Sequence, residues 1–423
     1  MKKVRTASLR KAAAFICAAA VCLLLTSCGT ASITAPRPAS TAAQTVSQTA
    51  AQTESESRTE TTAAVTTAAV TTAALFQEGF HFYQIECPYV PAEEAAVCTR
   101  LDFPTVLRGK RVSVIGFQDE ETLLLLLNSD TENELGTVSL KGGKFGDFQK
   151  LLDLKPSQYP RPGSDRYIII QESTGTTDET VTLSQTYALF DTETGQLGKP
   201  YWTQSKDEHG YAVGGGSFNP HLIIGNMLYF DDYSMKDGEM TATIYGYDIG
   251  SGKITETYPE CQKPMIYQGK LIGFTRNDAG NFRRLITVKD NGTAFRLECG
   301  DNLMSTESCL GSIFAVTNEG EDENDLSVCK LQNLATGQSI LRANAPIGDL
   351  SISDNLVGWC RYSSNYAVAP ALYDVQNQRL LSLDKTFDMD KKCFFEYVKG
   401  KTALVLVMDD ARTSAEALLL KLS

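Results

Sequence analysis

YALFDTETGQL (187–197) carries two apolar runs around a tight turn, and the arrangement recurs in YGYDIGSGKIT (245–255), VCKLQNLATGQSI (328–340) and ALYDVQNQRLLSL (371–383). Aligned on the residue that opens each turn, the copies fall at Lys141, Asp191, Asp248, Asp290, Asn333 and Asp374, with a partner near Lys421. The intervals are 50, 57, 42, 43, 41 and 47 residues. Gly or Asn in such turns suits the left-handed backbone of short hairpin loops with a bulge. A period of this length holds about four short strands per unit. One such sheet buries too little apolar surface to stand alone, so the units must stack on their neighbours around an axis.

Individual units can be parsed strand by strand. PIGDLSIS (346–353), NLVGWCRY (355–362), APALYDV (369–375) and RLLSL (379–383) form one. KPMIYQ (263–268), KLIGFTR (270–276), RRLITVK (283–289) and TAFRLE (293–298) form another. TLLLLLN (122–128) reads as a second strand covered on both faces. A buried helix is the alternative for five leucines, but the run is too short for one. Near the C-terminus, KKCFFEYVK, TALVLVMDD and AEALLLKLS supply three strands before the chain ends, although the leucine run in the last could also be helical. The expectation is therefore an all-β chain, a seven-bladed β-propeller of four-stranded antiparallel blades spanning 76–423 and following a disordered tether. An N-terminal outer strand, expected within FHFYQIECPY (80–89), would close the ring and cover the open edge of the last blade. As a class this resembles the WD-repeat, TolB-type and quinoprotein-type propellers. ALFDTETGQLGKPYW (188–202) is similar to the quinoprotein-type repeat, but only this copy carries a Trp, set further from the Gly than in that pattern, and no WD dipeptide occurs.

The first residues set a different expectation. Lys2, Lys3, Arg5, Arg10 and Lys11 precede an apolar stretch, 12–25, that is too short to span a bilayer comfortably. This is the pattern of an export signal, 1–27. Leu25-Thr26-Ser27-Cys28 resembles the lipobox of bacterial lipoproteins. The resemblance implies that Cys28 is acylated, becomes the first mature residue and anchors the chain on the extracytoplasmic face of a bacterial cell membrane. The alternative is an ordinary signal peptide with an incidental Cys28. Residues 28–75, rich in Ala, Thr, Ser and Gln, hold few large apolar side chains and are expected to form a disordered tether.

Charge and cysteines narrow the function classes. The formal net charge is −12 and becomes more negative once the cationic leader is removed, so a nucleic-acid ligand is not expected. Beyond the leader lie Cys87, Cys98, Cys261, Cys299, Cys309, Cys329, Cys360 and Cys393, with no C-x-x-C spacing for zinc or redox chemistry. Export and an even count permit disulfides, Cys87–Cys98 being closest in sequence. Placement in apolar runs such as SVCKLQ favours free, buried thiols.

Two features are candidates for binding. Loops expected between second and third strands are acidic, with Asp231, Asp232, Asp237, Glu321, Asp322 and Asp325 among their residues. On a propeller these would share one face and attract a cation or a basic partner, or simply keep the domain soluble. No ordered calcium-loop spacing occurs, and neither a metal nor another cofactor is expected. The connection 198–221 carries Tyr201, Trp202, His209, Tyr211 and Phe218, whose aromatic faces can stack on sugars or peptides, or pack beneath the loop. Enzyme signatures such as H-E-x-x-H, G-x-S-x-G or a phosphate loop are missing from the sequence. The reading is a monomeric, lipid-anchored, non-catalytic binding or scaffold module for a protein or glycan. The alternative is a carbohydrate-active hydrolase with paired carboxylates near the axis.

Overall fold

The computed structural model describes residues 76–77, 80–81, 84–174, 184–204, 221–236, 239–309, 311–320, 328–343, 347–348, 350–359, 371–383, 393–408 and 415–423. Within them seven antiparallel sheets, each of at least four strands, form a propeller ring. Their innermost strands are, from blade 1 to blade 7, Lys110–Asp119, Gln158–Pro162, Leu222–Ile224, Gln262–Tyr267, Leu303–Cys309, Leu350–Ile352 and Cys393–Lys399. These strands pack side by side from blade 4 through blades 5, 6, 7 and 1 to blade 2. The second strand of blade 3, Met227–Lys236, packs on the inner strand of blade 4. The remaining seam, between blades 2 and 3, is closed by Ile169 and Tyr187 against Leu228 and Phe230.

Sandwiching explains the leucine run. Thr122–Asn128 is the second strand of blade 1, and Leu123 to Leu127 are all buried because both faces meet neighbours. Leu123, Leu125 and Leu127 face the cluster shared with blade 7, while Leu124 and Leu126 face blade 2. Each such leucine contributes roughly 1.5–3 kcal/mol by leaving water. Ala415–Leu422, the segment open to a helical reading, is a strand, its residues Ala415–Lys421 paired in register with Met408–Thr402.

The ring is closed by an N-terminal outer strand, but not by the segment expected. Ala96–Leu101 pairs antiparallel with Ala415–Leu422, Leu101 opposite Ala417 and Ala96 opposite Leu422. The 80–89 run is divided instead. Phe80–His81 pairs with Phe76–Gln77, Gln84–Ile85 adds to the edge of blade 5, and Tyr89–Pro91 lies parallel to the edge of blade 6. Pro88 and Pro91 each remove a backbone donor and limit ladder pairing at the end of this run. Beyond them and the short turn Ala92–Glu94, the six residues Ala96–Leu101 form an uninterrupted strand. Residues 84–101 thus form a belt over three consecutive blades. It is fastened by Glu86 N donating to Ile340 O at 2.9 Å, Leu380 N donating to Pro88 O at 2.8 Å, and ion pairing of Arg342 with Glu86.

Cys87, Cys98, Cys261, Cys299, Cys309 and Cys329 are free thiols, and all except Cys98 and Cys299 are buried. Burial pushes the Cys87 thiol up to about 12 and the Cys261 thiol up to about 11.

Candidate functional site

Blade 2 ends irregularly. Its third strand, Ser184–Asp191, meets two fragments in place of one outer strand, Gln196–Leu197 and Trp202–Thr203. Between them 198–201 bulges outward, where Pro200 cannot donate to the ladder. Gly198 N, Tyr201 N and Gln204 N donate inward to Leu189 O, Tyr187 O and Gln185 O, each at 2.8 Å. The bulge and the turn that follows Glu239–Asp248 in blade 3 frame a cleft of about 750 Å³. Tyr167, Tyr201, Tyr247, Ile249 and Ile254 form its walls, with Lys199 and Gln196 also lining it.

The alternation of β-structure places the tyrosines. Phe230, opposite Tyr245, and Leu228, opposite Tyr247, lie on the face of blade 3 turned toward blade 2. Tyr201 rests on this face, its ring 5.2 Å from Tyr247 and 5.4 Å from Phe230. Behind it Trp202 packs 4.5 Å from Tyr245 and donates Nε1–H to Asp232 Oδ2 at 2.8 Å. His221 is buried beside Tyr187, and its Nδ1 is hydrogen-bonded to Tyr201 Oη at 2.7 Å. Burial, with the charge of Arg161 adding to it, lowers the His221 pKa to about 3, so the imidazole is neutral at pH 7.

Charge at the cleft is already organised. Arg166 grips Asp191 through Nε at 3.0 Å and Nη2 at 2.6 Å, bridges to Glu193 and lies over the Tyr167 ring. The bidentate bond holds the Asp191 carboxyl down at about 2. Lys199 is exposed and has no ion-pair partner among the described residues.

Of the residues singled out from sequence, Tyr201 reaches the cleft and Trp202 forms its backing; His209, Tyr211 and Phe218 lie outside the described residues. The expected acidic face needs correction at two positions. Asp231 and Asp232 are in Met227–Lys236, not in a loop, and are 0% and 5% exposed. Successive side chains of a strand point to opposite faces, so Asp231 turns to blade 4, where Lys263 N donates to it at 2.7 Å, and Asp232 turns to Trp202. Both carboxylates tie blades together. Asp237, Glu321, Asp322, Asp325 and Cys28 lie outside the described residues. Sequence reasoning passed over Tyr247 and Lys199; the i, i+2 spacing of Tyr245 and Tyr247 was the available signal.

Near the inner strands, Glu396 is buried and accepts Trp359 N at 2.9 Å, while Glu307 pairs with Lys263 at 3.2 Å. Among the described residues no group of three or more His, Cys, Asp or Glu is arranged to hold a metal ion.

No family model and no curated protein matches this chain. Solved structures do. An uncharacterized protein from Listeria monocytogenes is 13% identical, over 73% of this chain and 94% of that one, with a TM-score of 0.46. The β-propeller domain of the Trilobed protease from Pyrococcus furiosus is 12% identical, over 77% and 95%, also with a TM-score of 0.46. TolB from Acinetobacter baumannii is 10% identical, over 75% and 66%, with a TM-score of 0.35.

Proposed function

We propose that this chain is a lipid-anchored, extracytoplasmic propeller that acts as a non-catalytic binding module, holding a glycan or protein of the cell surface at the blade 2–blade 3 cleft. The observation that carries this reading is the cleft itself. It is a concavity of ligand size with three tyrosines in its walls, beside an outer strand broken into two fragments. Rigid aromatic faces supply contact area at low entropic cost. The leader, the lipobox-like Leu25–Cys28 and the tether support delivery to the membrane surface.

Two experiments test the two halves. Growth with a fatty-acid analogue should label the wild-type chain and leave Cys28→Ala unlabelled; lipid on the variant refutes anchoring. For binding, the full chain in detergent is presented with a panel of surface oligosaccharides and with envelope proteins. Binding should occur and weaken at least about tenfold in Tyr247→Ala, equivalent to 1.4 kcal/mol. Affinities identical in wild type and variant would remove the cleft from consideration.

A further inference from the structure

We propose that the cleft selects an acidic saccharide, a short uronate-bearing oligosaccharide whose sugar ring packs on Tyr201 and Tyr247 while its carboxylate meets Lys199. This rests on the binding reading above and narrows its ligand class.

Three observations lead there. Gly198 N, Tyr201 N and Gln204 N are engaged by blade 2, and Pro200 has no N–H. Pro200 therefore interrupts the row of outward donors that an added peptide strand requires. The walls instead offer ring faces and side-chain polar groups, Tyr201 and Tyr247 lying 5.2 Å apart and tilted by 35°, with Thr194 and Gln196 alongside. This suits the mixed apolar and hydroxylated faces of a sugar.

The third observation is electrostatic. Arg166 is shared by Asp191 and Glu193, one positive charge against two negative, so it has none to offer a ligand. Lys199 is left as the cleft's cation without an ion-pair partner among the described residues. A ligand carboxylate satisfies it. The chain as a whole is acidic, at −12, so long-range steering opposes polyanions and recognition depends on this contact at short range. The ligand is accordingly one with few carboxylates.

The test uses the full chain in detergent, titrated calorimetrically with trigalacturonate and with its fully methyl-esterified form, which keeps the rings and removes the charge. Wild type should bind the acid at least about tenfold more tightly than the ester, a 1.4 kcal/mol difference. Lys199→Gln should bring the two affinities together, and Tyr247→Ala should weaken both. Lys199 is exposed, so an unchanged near-ultraviolet circular dichroism spectrum establishes that its variant is folded. Equal affinity for acid and ester overturns the acidic-sugar proposal while leaving a cleft that binds sugars. No binding of trigalacturonate, or tighter binding of a Glu-rich hexapeptide, also overturns it. The panel experiment above then decides separately whether the cleft binds anything.

Discussion

Acidification should loosen the seam between blades 2 and 3 before it affects the rest of the ring, and His221 is the reason. Its imidazole is buried, hydrogen-bonded at Nδ1 to Tyr201, and packed against Tyr187 and Phe230, with Arg161 as the nearby charge. Its pKa is about 3 in the folded protein, against 6.5 for the free side chain. Between those values the unfolded chain binds a proton that the native chain refuses, so the contribution is intact above pH 6.5 and is lost as pH falls. The loss is about 1.4 kcal/mol for each pH unit below 6.5, hence about 1.4 kcal/mol at pH 5.5 and about 2.7 at pH 4.5. Asn at position 221 is polar but does not titrate in this range. Urea unfolding of wild type and His221→Asn, followed at each pH by the fluorescence of Trp202 and Trp359, isolates the effect, because carboxylates common to both proteins cancel in the difference. The variant should lose less stability than wild type on going from pH 7 to 4.5, the gap changing by about 2–3 kcal/mol. Parallel pH profiles would refute the argument.

Other substitutions probe the closure and the seam. Leu101→Ala, at a buried position of the closing strand, should cost about 2–5 kcal/mol, whereas Val97→Ala, in the same strand but 66% exposed, should change stability by less than about 0.5 kcal/mol; urea midpoints compare them. Trp202→Phe keeps the aromatic packing but removes the donor to Asp232, for an expected loss of about 1–3 kcal/mol by the same assay. Cys87, Cys261, Cys309 and Cys329 should resist dithiobis-nitrobenzoate at pH 8 in the native protein and react on unfolding, because burial disfavours the thiolate.

Much of the ring is legible in the chain because the physics behind it is local and repeated. Turn chemistry at Asp191, Asp248 and Asp374 marks hairpins that form where expected, and Lys270–Arg276 and Thr122–Asn128 have the anticipated bounds. Where pairing is set by distant partners, the reading is weaker. AVCTRL (96–101) mixes Val, Thr and Arg without strict alternation, so its role depends on Ala415–Leu422, over 300 residues away. The site is harder still. Asp231 and Asp232 look like a solvated pair in one dimension, but one residue of strand advance turns them to opposite sides of a blade. Tyr201 was visible as part of an aromatic connection. Tyr247 was hidden inside a repeat, because its meaning arises only where a neighbouring blade's outer strand breaks.

The belt formed by residues 84–101 has a mechanical consequence. A pull on the N-terminal end of the chain does not load the ring's closure first. It must strip Gln84–Ile85 from blade 5 and then Tyr89–Pro91 from blade 6 before tension reaches Ala96–Leu101 on blade 7. The two short attachments serve as sacrificial fastenings that yield a few bonds at a time and re-form on slackening. A propeller held by its N-terminus in flowing or shearing surroundings would thus give up length while its seventh blade stays shut.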